Sequence, residues 1–123
     1  MATVSKTKTI LCVDDDPSLL RLIQTFLELD GYMVITENDS MAALRLATTS
    51  PEIDAIVTDF HMPGLSGDKF CLEIKRVRPN LPILMLTASP NEIPPQVNHL
   101  INGLLCKNKG MVAVAAALKR IAA

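Results

Sequence analysis

The stretch that decides the fold is TILCVDDDP, residues 9–17. It opens with a run of mostly apolar residues, which is typical of a strand buried on both faces of a parallel sheet. Asp16 and Pro17 then indicate a helix start, because aspartate is a favoured N-cap and proline is favoured at the first helical position. The stretch therefore predicts a buried strand that runs directly into a helix, with the carboxylates of Asp14 and Asp15 at the junction.

The rest of the chain continues this alternation of strand-like and helix-like segments. Further strands are predicted at residues 32–36, 53–58, 82–87 and 104–106, and further helices near Ser40, after Gly67 and from Met111 to Ala123. Alternating strands and helices predict an α/β fold built on one parallel sheet.

Three of the predicted helices carry further signals in the sequence. Asp39 or Ser40 can cap the second helix, since both side chains accept hydrogen bonds from helix N–H groups. The third helix is expected to turn four residues inward, namely Phe70, Cys71, Ile74 and Val77. Between the fourth and fifth strands, prolines at 90, 94 and 95 exclude an ordinary long helix, so the fourth helix is expected to be short or irregular.

Composition narrows the classes of function. The 123 residues fit one domain, and 49% hydrophobic content is enough for a core. A net charge of −1 gives no electrostatic reason to expect binding to nucleic acid or to an anionic membrane. The N-terminus has no apolar segment typical of a signal peptide, and no apolar run is long enough to cross a bilayer. We therefore expect a soluble, cytoplasmic protein without membrane insertion. Three widely spaced cysteines without a CxxC pair make zinc binding an unfavoured reading.

Chemically active side chains follow four of the predicted strands. Asp14 and Asp15 end the first strand, Asp59 the third, Thr87 the fourth and Lys107 the fifth. Because the carboxyl ends of parallel strands share one edge, where open α/β sheets bind ligands, these groups are expected to meet in one pocket. Clustered carboxylates suit Mg2+, which prefers hard oxygen ligands and phosphate oxygens. A lysine and a hydroxyl nearby suit phosphoryl transfer, in which a carboxylate can serve as the nucleophile.

These segments together resemble response-regulator receiver domains of two-component signalling. The resemblance is carried by residues 14–15, by the stretch DFHMPGLSG at 59–67, by LTA at 86–88 and by Lys107, in the right order and over nearly the whole chain. It implies a single receiver domain over residues 1–123. It also implies a doubly wound, flavodoxin-like sheet of five parallel strands in the order 2-1-3-4-5, with about five helices.

The resemblance also implies a role for each matching residue. Asp59 resembles the phospho-acceptor and a metal ligand, and Asp15 the main carboxylate ligand of Mg2+. Asp14 resembles a helper that acts through a bound water. His61 matches the position that offers its main-chain carbonyl to the metal, without a role for its imidazole.

Two further residues and the partners follow from the same resemblance. Thr87 matches the hydroxyl that reorients onto the phosphoryl group, and Lys107 the lysine that pairs with Asp59 or the phosphate. The implied phosphate donor is a sensor histidine kinase or a histidine phosphotransfer protein. The implied output is an unknown downstream protein or a missing output domain. Such a module is a signalling phospho-acceptor with weak self-dephosphorylation at most, and not an enzyme in the usual sense.

The C-terminal third departs from the family pattern. Asn108 follows Lys107 where the family normally has proline, so we expect a trans or a strained cis bond there and a displaced lysine. Leu104 stands where the family has a switch aromatic, and the interval between Thr87 and Lys107 is slightly short. We therefore hypothesise that the acceptor chemistry is intact while the output switch is nonstandard.

Two other functions stay open on the sequence alone. A pseudo-receiver would keep the fold and bind proteins without being phosphorylated, which the altered region around Lys107 favours. A small Mg2+-dependent phosphatase of the haloacid-dehalogenase type would use Asp14 and Asp16 as its Asp-x-Asp motif. That reading leaves Asp59 and the loop that follows it unexplained.

Overall fold

The computed structural model describes residues 7–122, which form one sheet and its covering helices. The strands are β1 (Thr9–Val13), β2 (Met33–Glu37), β3 (Ile53–Thr58), β4 (Ile83–Thr87) and β5 (Gly103–Cys106). The helices are α1 (Pro17–Leu29), α2 (Ser40–Thr49), α3 (Gly67–Val77), α4 (Pro95–Asn98) and α5 (Met111–Ile121). Short 3-10 turns lie at Pro90–Glu92 and Lys107–Lys109.

The sheet is parallel throughout and has the order β2-β1-β3-β4-β5. At the carboxyl end of β1, Val13 is in register with Glu37 of β2 and with Thr58 of β3. On the far side, Thr87 of β4 is in register with Cys106 of β5. The predicted doubly wound α/β fold with a flavodoxin-like strand order is therefore confirmed.

Alternate residues of the central strands feed two separate cores, one on each face of the sheet. In β1, Leu11 and Val13 face the core under α2, α3 and α4, whereas Ile10 and Cys12 face the core under α1 and α5. All four side chains are buried, which explains why this strand is apolar along its length. The two layers hold the strand ends in fixed relative positions.

Two of the five strands, β1 and β3, have the predicted limits. β2 begins and ends one residue later than predicted, β4 begins one residue later and β5 one residue earlier. The fourth helix is short, as expected, because Pro94 and Pro95 allow it to start only at Pro95. It ends at Asn98. Ala123, predicted to close the last helix, lies outside the described residues.

One predicted core position in α3 is wrong. Phe70, Cys71 and Ile74 are fully buried, but Val77 is 56% exposed. Val77 is the last residue of α3, and the chain turns away at Arg78, so nothing covers its side chain.

The thiols of this fold are unreactive where they are buried. Cys12 and Cys71 carry no disulfide, and burial raises the pKa of each thiol to about 12. At neutral pH both are therefore small apolar core residues, as the sequence predicts.

Among residues 7–122, no helix combines the length and the apolar character that crossing a bilayer requires.

Arg78 joins the end of α3 to the connection between α2 and β3. Its Nη1 donates to the carbonyls of Ala47 and Ser50, both at 3.2 Å. Its Nη2 donates to the carbonyls of Pro51 at 3.4 Å and Ile53 at 2.8 Å. The planar fork of the guanidinium suits four acceptors spread from the last turn of α2 to the first residue of β3, and an ammonium group does not.

We predict that Arg78→Lys lowers the free energy of unfolding by about 1–3 kcal/mol, because part-buried carbonyls lose their donors. Urea denaturation followed by circular dichroism measures the change. The matched control is Arg76→Lys, since the one ion pair of Arg76 within residues 7–122 is with Glu73 on the exposed surface of the same helix. That control should stay within about 0.5 kcal/mol of the parent protein. Equal losses in the two variants would contradict the assigned role of Arg78.

Candidate acidic site at the carboxyl edge of the sheet

The two buried carboxylates of the site stand on neighbouring strands. Asp14 follows β1 and its N–H donates to the Glu37 carbonyl at 3.2 Å, while the N–H of Asp59 donates to the Val13 carbonyl at 3.1 Å. Both bonds continue the sheet beyond the strand ends, so the backbone fixes where the side chains start. Asp14 is 2% exposed and Asp59 is 6% exposed.

Each carboxylate uses one oxygen for the backbone and the other for Lys107. Oδ1 of Asp14 accepts from the N–H of Asp16 at 2.9 Å, and Oδ1 of Asp59 accepts from the N–H of His61 at 3.3 Å. Nζ of Lys107 lies 2.9 Å from Oδ2 of Asp14 and 2.9 Å from Oδ2 of Asp59. The ammonium group therefore joins the two carboxylates.

The expectation of a displaced lysine is wrong. No peptide bond within residues 7–122 is cis, so the bond between Lys107 and Asn108 is trans. The 3-10 turn that begins at Lys107 leaves its side chain free to reach across β4 to both carboxylates. A proline after the lysine is not needed for this contact.

The pKa values of Asp14 and Lys107 reflect their burial and the attraction between them. Burial raises the pKa of the Asp14 carboxyl, although hydrogen bonds from Asp16 and Lys107 act to lower it. Burial also acts to lower the pKa of Lys107, but its hydrogen bonds to Asp59 and Asp14 outweigh that effect and raise the pKa above its usual value. Lys107 is therefore positively charged at neutral pH.

Asp15 completes the acidic cluster from the solvent side. It is exposed, and one carboxylate oxygen each of Asp14, Asp15 and Asp59 lies within 4.8 Å of the others. Three converging hard oxygen donors are the set that a divalent cation such as Mg2+ prefers. The residues present therefore fit a metal, and Lys107 offsets only part of their negative charge.

His61 contributes to this site through its main chain. Its N–H touches Asp59, whereas its imidazole turns outward, where Nε2 lies 3.5 Å from Oε2 of Glu92. The ring also meets Phe60 edge to face, with the ring centroids 5.0 Å apart. The imidazole is thus exposed and paired with Glu92 in this arrangement.

Thr87 lies at the same edge but has a different partner. It is fully buried at the end of β4, and its Oγ1 accepts from the N–H of Ser89 at 3.2 Å. The structure therefore keeps the hydroxyl of Thr87 on its own turn. It brings the other five predicted site residues together, namely Asp14, Asp15, Asp59, Lys107 and the main chain of His61.

The sequence did not reveal what holds the loop after Asp59. Ser40 of α2 is fully buried and exchanges hydrogen bonds with this loop on both sides of Gly64. The two adjacent cap candidates, Asp39 and Ser40, were a signal that one of them was not needed for capping. Asp39 is the residue that caps, through its Oδ2 and the N–H of Ala42 at 3.3 Å.

Comparison with known proteins identifies a family. A family model described as the response regulator receiver domain matches residues 10–119. The alkaline phosphatase synthesis transcriptional regulatory protein PhoP of Bacillus subtilis is 44% identical over 85 residues, which are 69% of this chain and 35% of the relative. The transcriptional regulatory protein CpxR homolog of Haemophilus influenzae is 39% identical over 68% of this chain and 36% of its own length. The chain thus spans about a third of the length of these two curated relatives.

Solved structures agree over almost the full length. A response regulator receiver domain protein from Clostridium thermocellum superimposes with a TM-score of 0.84 and 28% identity, over 94% of each chain. The chemotaxis protein CheY4 of Vibrio cholerae gives a TM-score of 0.81 and 28% identity, over 94% of this chain and 99% of that one.

We predict that Lys107→Met lowers the free energy of unfolding by about 1–3 kcal/mol in metal-free buffer, because two buried carboxylates lose their cation. In an Asp59→Asn background the same change should cost clearly less, since only one carboxylate still needs the ammonium. Urea titrations of the four proteins provide this double-mutant cycle. The exposed Lys109, changed to Met, serves as the control and should have little effect. An equal cost of Lys107→Met in both backgrounds would contradict the bridge.

Proposed function

The chain belongs to the response regulator receiver domain family, and from this premise we propose that it accepts a phosphoryl group on Asp59 in a Mg2+-dependent reaction. The observation that carries the proposal is the Asp59 carboxylate, which is buried beside a second carboxylate and bonded to Lys107. The charges of Asp14 and Asp15 repel the charge of Asp59. A purely structural ion pair between Asp59 and Lys107 would not need these two carboxylates beside it, so their presence supports a functional role.

The proposed step moves one phosphoryl group between two nucleophiles. A carboxylate oxygen of Asp59 forms a bond to phosphorus while the bond from phosphorus to the donor atom breaks, and the electron pair leaves with the donor. Lys107 stays protonated and balances part of the charge that the incoming phosphoryl oxygens bring. Asp59 is held for the attack by the N–H of His61, which fixes its carboxylate plane.

Mg2+ is the proposed cofactor. Asp14, Asp15, Asp59 and the main-chain carbonyl of His61 would hold it, and when bound it supplies the positive charge that phosphoryl oxygens require. The charge of the cluster supports this, since three carboxylates face one ammonium group. Without a further cation, an anionic phosphoryl group would meet net repulsion at Asp59.

Thr87 is proposed to bind the phosphoryl group after transfer. Its oxygen accepts from the N–H of Ser89, which leaves its hydroxyl hydrogen available as a donor. β4 is the neighbour of β3 in the sheet, so a rotation of this side chain can bring the hydroxyl towards the group on Asp59.

The proposed phosphate donor is a sensor histidine kinase or a histidine phosphotransfer protein, as expected for a receiver of a two-component system. The chain is proposed to act as a signalling phospho-acceptor that slowly loses its phosphate to water, and not as an enzyme on a separate substrate. The identity of the downstream protein or output domain is a further question for the whole protein.

The geometry argues against the phosphatase reading. That reading needs Asp16 as a second catalytic carboxylate, yet the Oδ1 of Asp16 accepts from the N–H groups of Ser18 at 3.0 Å and Leu19 at 3.4 Å. Asp16 therefore caps α1 and is exposed. The pseudo-receiver reading loses its main support as well, because Lys107 is in contact with Asp59.

We predict that acetyl phosphate and Mg2+ add one phosphoryl group to the protein and that peptide mass spectrometry finds it on Asp59. Asp59→Asn should stay unlabelled, because an amide is not a nucleophile for this step. Omission of Mg2+ should abolish labelling of the parent protein. Label on Asp14 with rapid turnover would support the phosphatase instead, and a folded but unlabelled protein would support the pseudo-receiver.

The output of this receiver is proposed to be nonstandard. Leu104 of β5, at the position of the switch aromatic in the resemblance, is 37% exposed. Its face of the sheet is the one that α4 covers, and α4 has only four residues. Leu104 has neither a ring nor a polar tip, so the rotation of an aromatic side chain cannot report the state of Asp59.

We predict that beryllofluoride, a stable mimic of the phosphoryl group, causes only small changes across residues 90–110. Two-dimensional NMR of the free and the beryllofluoride-bound protein, both with Mg2+, measures them residue by residue. Shifts at Asp59 and Thr87 should be large, which verifies that the mimic is bound. Large shifts throughout 90–110 would contradict a nonstandard switch.

A further inference from the structure

A buried serine outside the acidic cluster is bonded to the loop that follows Asp59. Ser40 is fully buried at the first position of α2, and its Oγ accepts from the N–H of Leu65 at 2.7 Å. The same hydroxyl donates to the carbonyl of Pro63 at 3.1 Å. Because Asp39 already caps α2, the hydroxyl of Ser40 is not used by its own helix.

The backbone of the loop is shaped to this hydroxyl. Gly64, which lies between the two residues that Ser40 bonds, has a φ of +92°, a conformation that side chains other than glycine rarely adopt. A Cβ at Gly64 would lie 3.0 Å from Oγ of Ser40 and 3.6 Å from Oδ1 of Asp39. The loop therefore passes over Ser40 at a distance that only a glycine allows.

The other end of the loop is fixed by a second close contact. Gly67 opens α3, and a Cβ there would lie 2.6 Å from Cδ1 and 2.8 Å from the carbonyl oxygen of Phe60. Residues 60–67 thus close on themselves at Gly67 and are bonded to α2 at Ser40. His61, whose N–H touches Asp59 at 3.3 Å, lies within this closed segment.

We propose that Ser40 is a positioning residue for the acceptor site, which holds residues 60–66 so that the main chain of His61 faces Asp59. The inference rests on the proposed function, since it concerns the site where Mg2+ and the phosphoryl group would bind. Ser40 touches neither of them and acts through the loop.

The reason lies in the geometry that Mg2+ demands. This cation requires near-ideal octahedral coordination, so a small shift of one ligand weakens binding. Asp14 and Asp59 are placed by the sheet, whereas the carbonyl of His61 belongs to a loop outside any strand. The hydroxyl of Ser40 is the contact that ties this loop to a helix on both sides of Gly64.

The test compares Ser40→Ala with Thr48→Ala. Thr48 is a second hydroxyl residue of α2. Its hydroxyl donates to the Leu44 carbonyl of the same helix at 2.8 Å and does not touch the loop. Calorimetry measures the Mg2+ affinity, and acetyl phosphate labelling measures the rate at Asp59, both well below the melting temperature. Ser40→Ala removes both hydrogen bonds to the loop. It should weaken Mg2+ binding and slow labelling by at least about fivefold, the factor that the net contribution of a single hydrogen bond corresponds to. Thr48→Ala should change both by less than about twofold, even if it lowers the melting temperature as much.

A second variant approaches the same contact from the loop. Gly64→Ala keeps the hydroxyl of Ser40 but pushes the loop away from it, so it should weaken Mg2+ binding in the same way. This variant decides the matter if Ser40→Ala does not fold. Parent-like Mg2+ affinity and labelling in the folded Ser40→Ala protein, or in Gly64→Ala in its place, would overturn the role of Ser40 and leave the proposed function standing. A parent protein that neither binds Mg2+ nor takes label would overturn the proposed function and this role with it.

Discussion

The ammonium group of Lys107 lies between two buried carboxylates, and the rest of the structure is arranged around that contact. Asp14 and Asp59 end neighbouring strands, so two negative charges are brought together out of water. Such charges are costly unless paired. Lys107 comes from β5, two strands from β3, and neighbouring strands are about 4.8 Å apart. Only a long side chain that starts at the strand end can cover this distance, which links the order of the sheet to the charge balance of its edge.

Lys107 neutralises only part of the negative charge at the strand ends. Asp15 adds a third carboxylate, which solvent reaches, while a single ammonium group stands inside. Under the proposed function, the same features that make the site costly to fold would also favour a further cation and, with that cation, an anionic group. A bound group that neutralises the cluster would then stabilise the fold.

Sequence reasoning succeeded where the backbone alone determines position. β1 and β3 were predicted with their observed limits, and their ends fixed Asp14 and Asp59. The limits of β2, β4 and β5 were each missed by one residue. The displaced lysine was a wrong expectation, because the trans bond after Lys107 still allows the contact. Ser40 was missed for a different reason: its partners are main-chain groups more than twenty positions away, which leave no pattern in the sequence.

The acidic site and the edge strand β5 are supported to different extents by the rest of the fold. Asp14 and Asp59 end strands that are covered on both faces, and the loop after Asp59 is bonded to α2. The last third of the chain contributes α5 to this cover and Lys107 to the charge balance. Leu104 lies on the edge strand β5, and its side chain is 37% exposed. Lys107, which follows β5, connects this edge strand to the acidic site through its ion pairs with Asp14 and Asp59. Under the proposed function, a change around Leu104 would alter the output without moving either carboxylate, so a complete acidic site is compatible with an unusual final third.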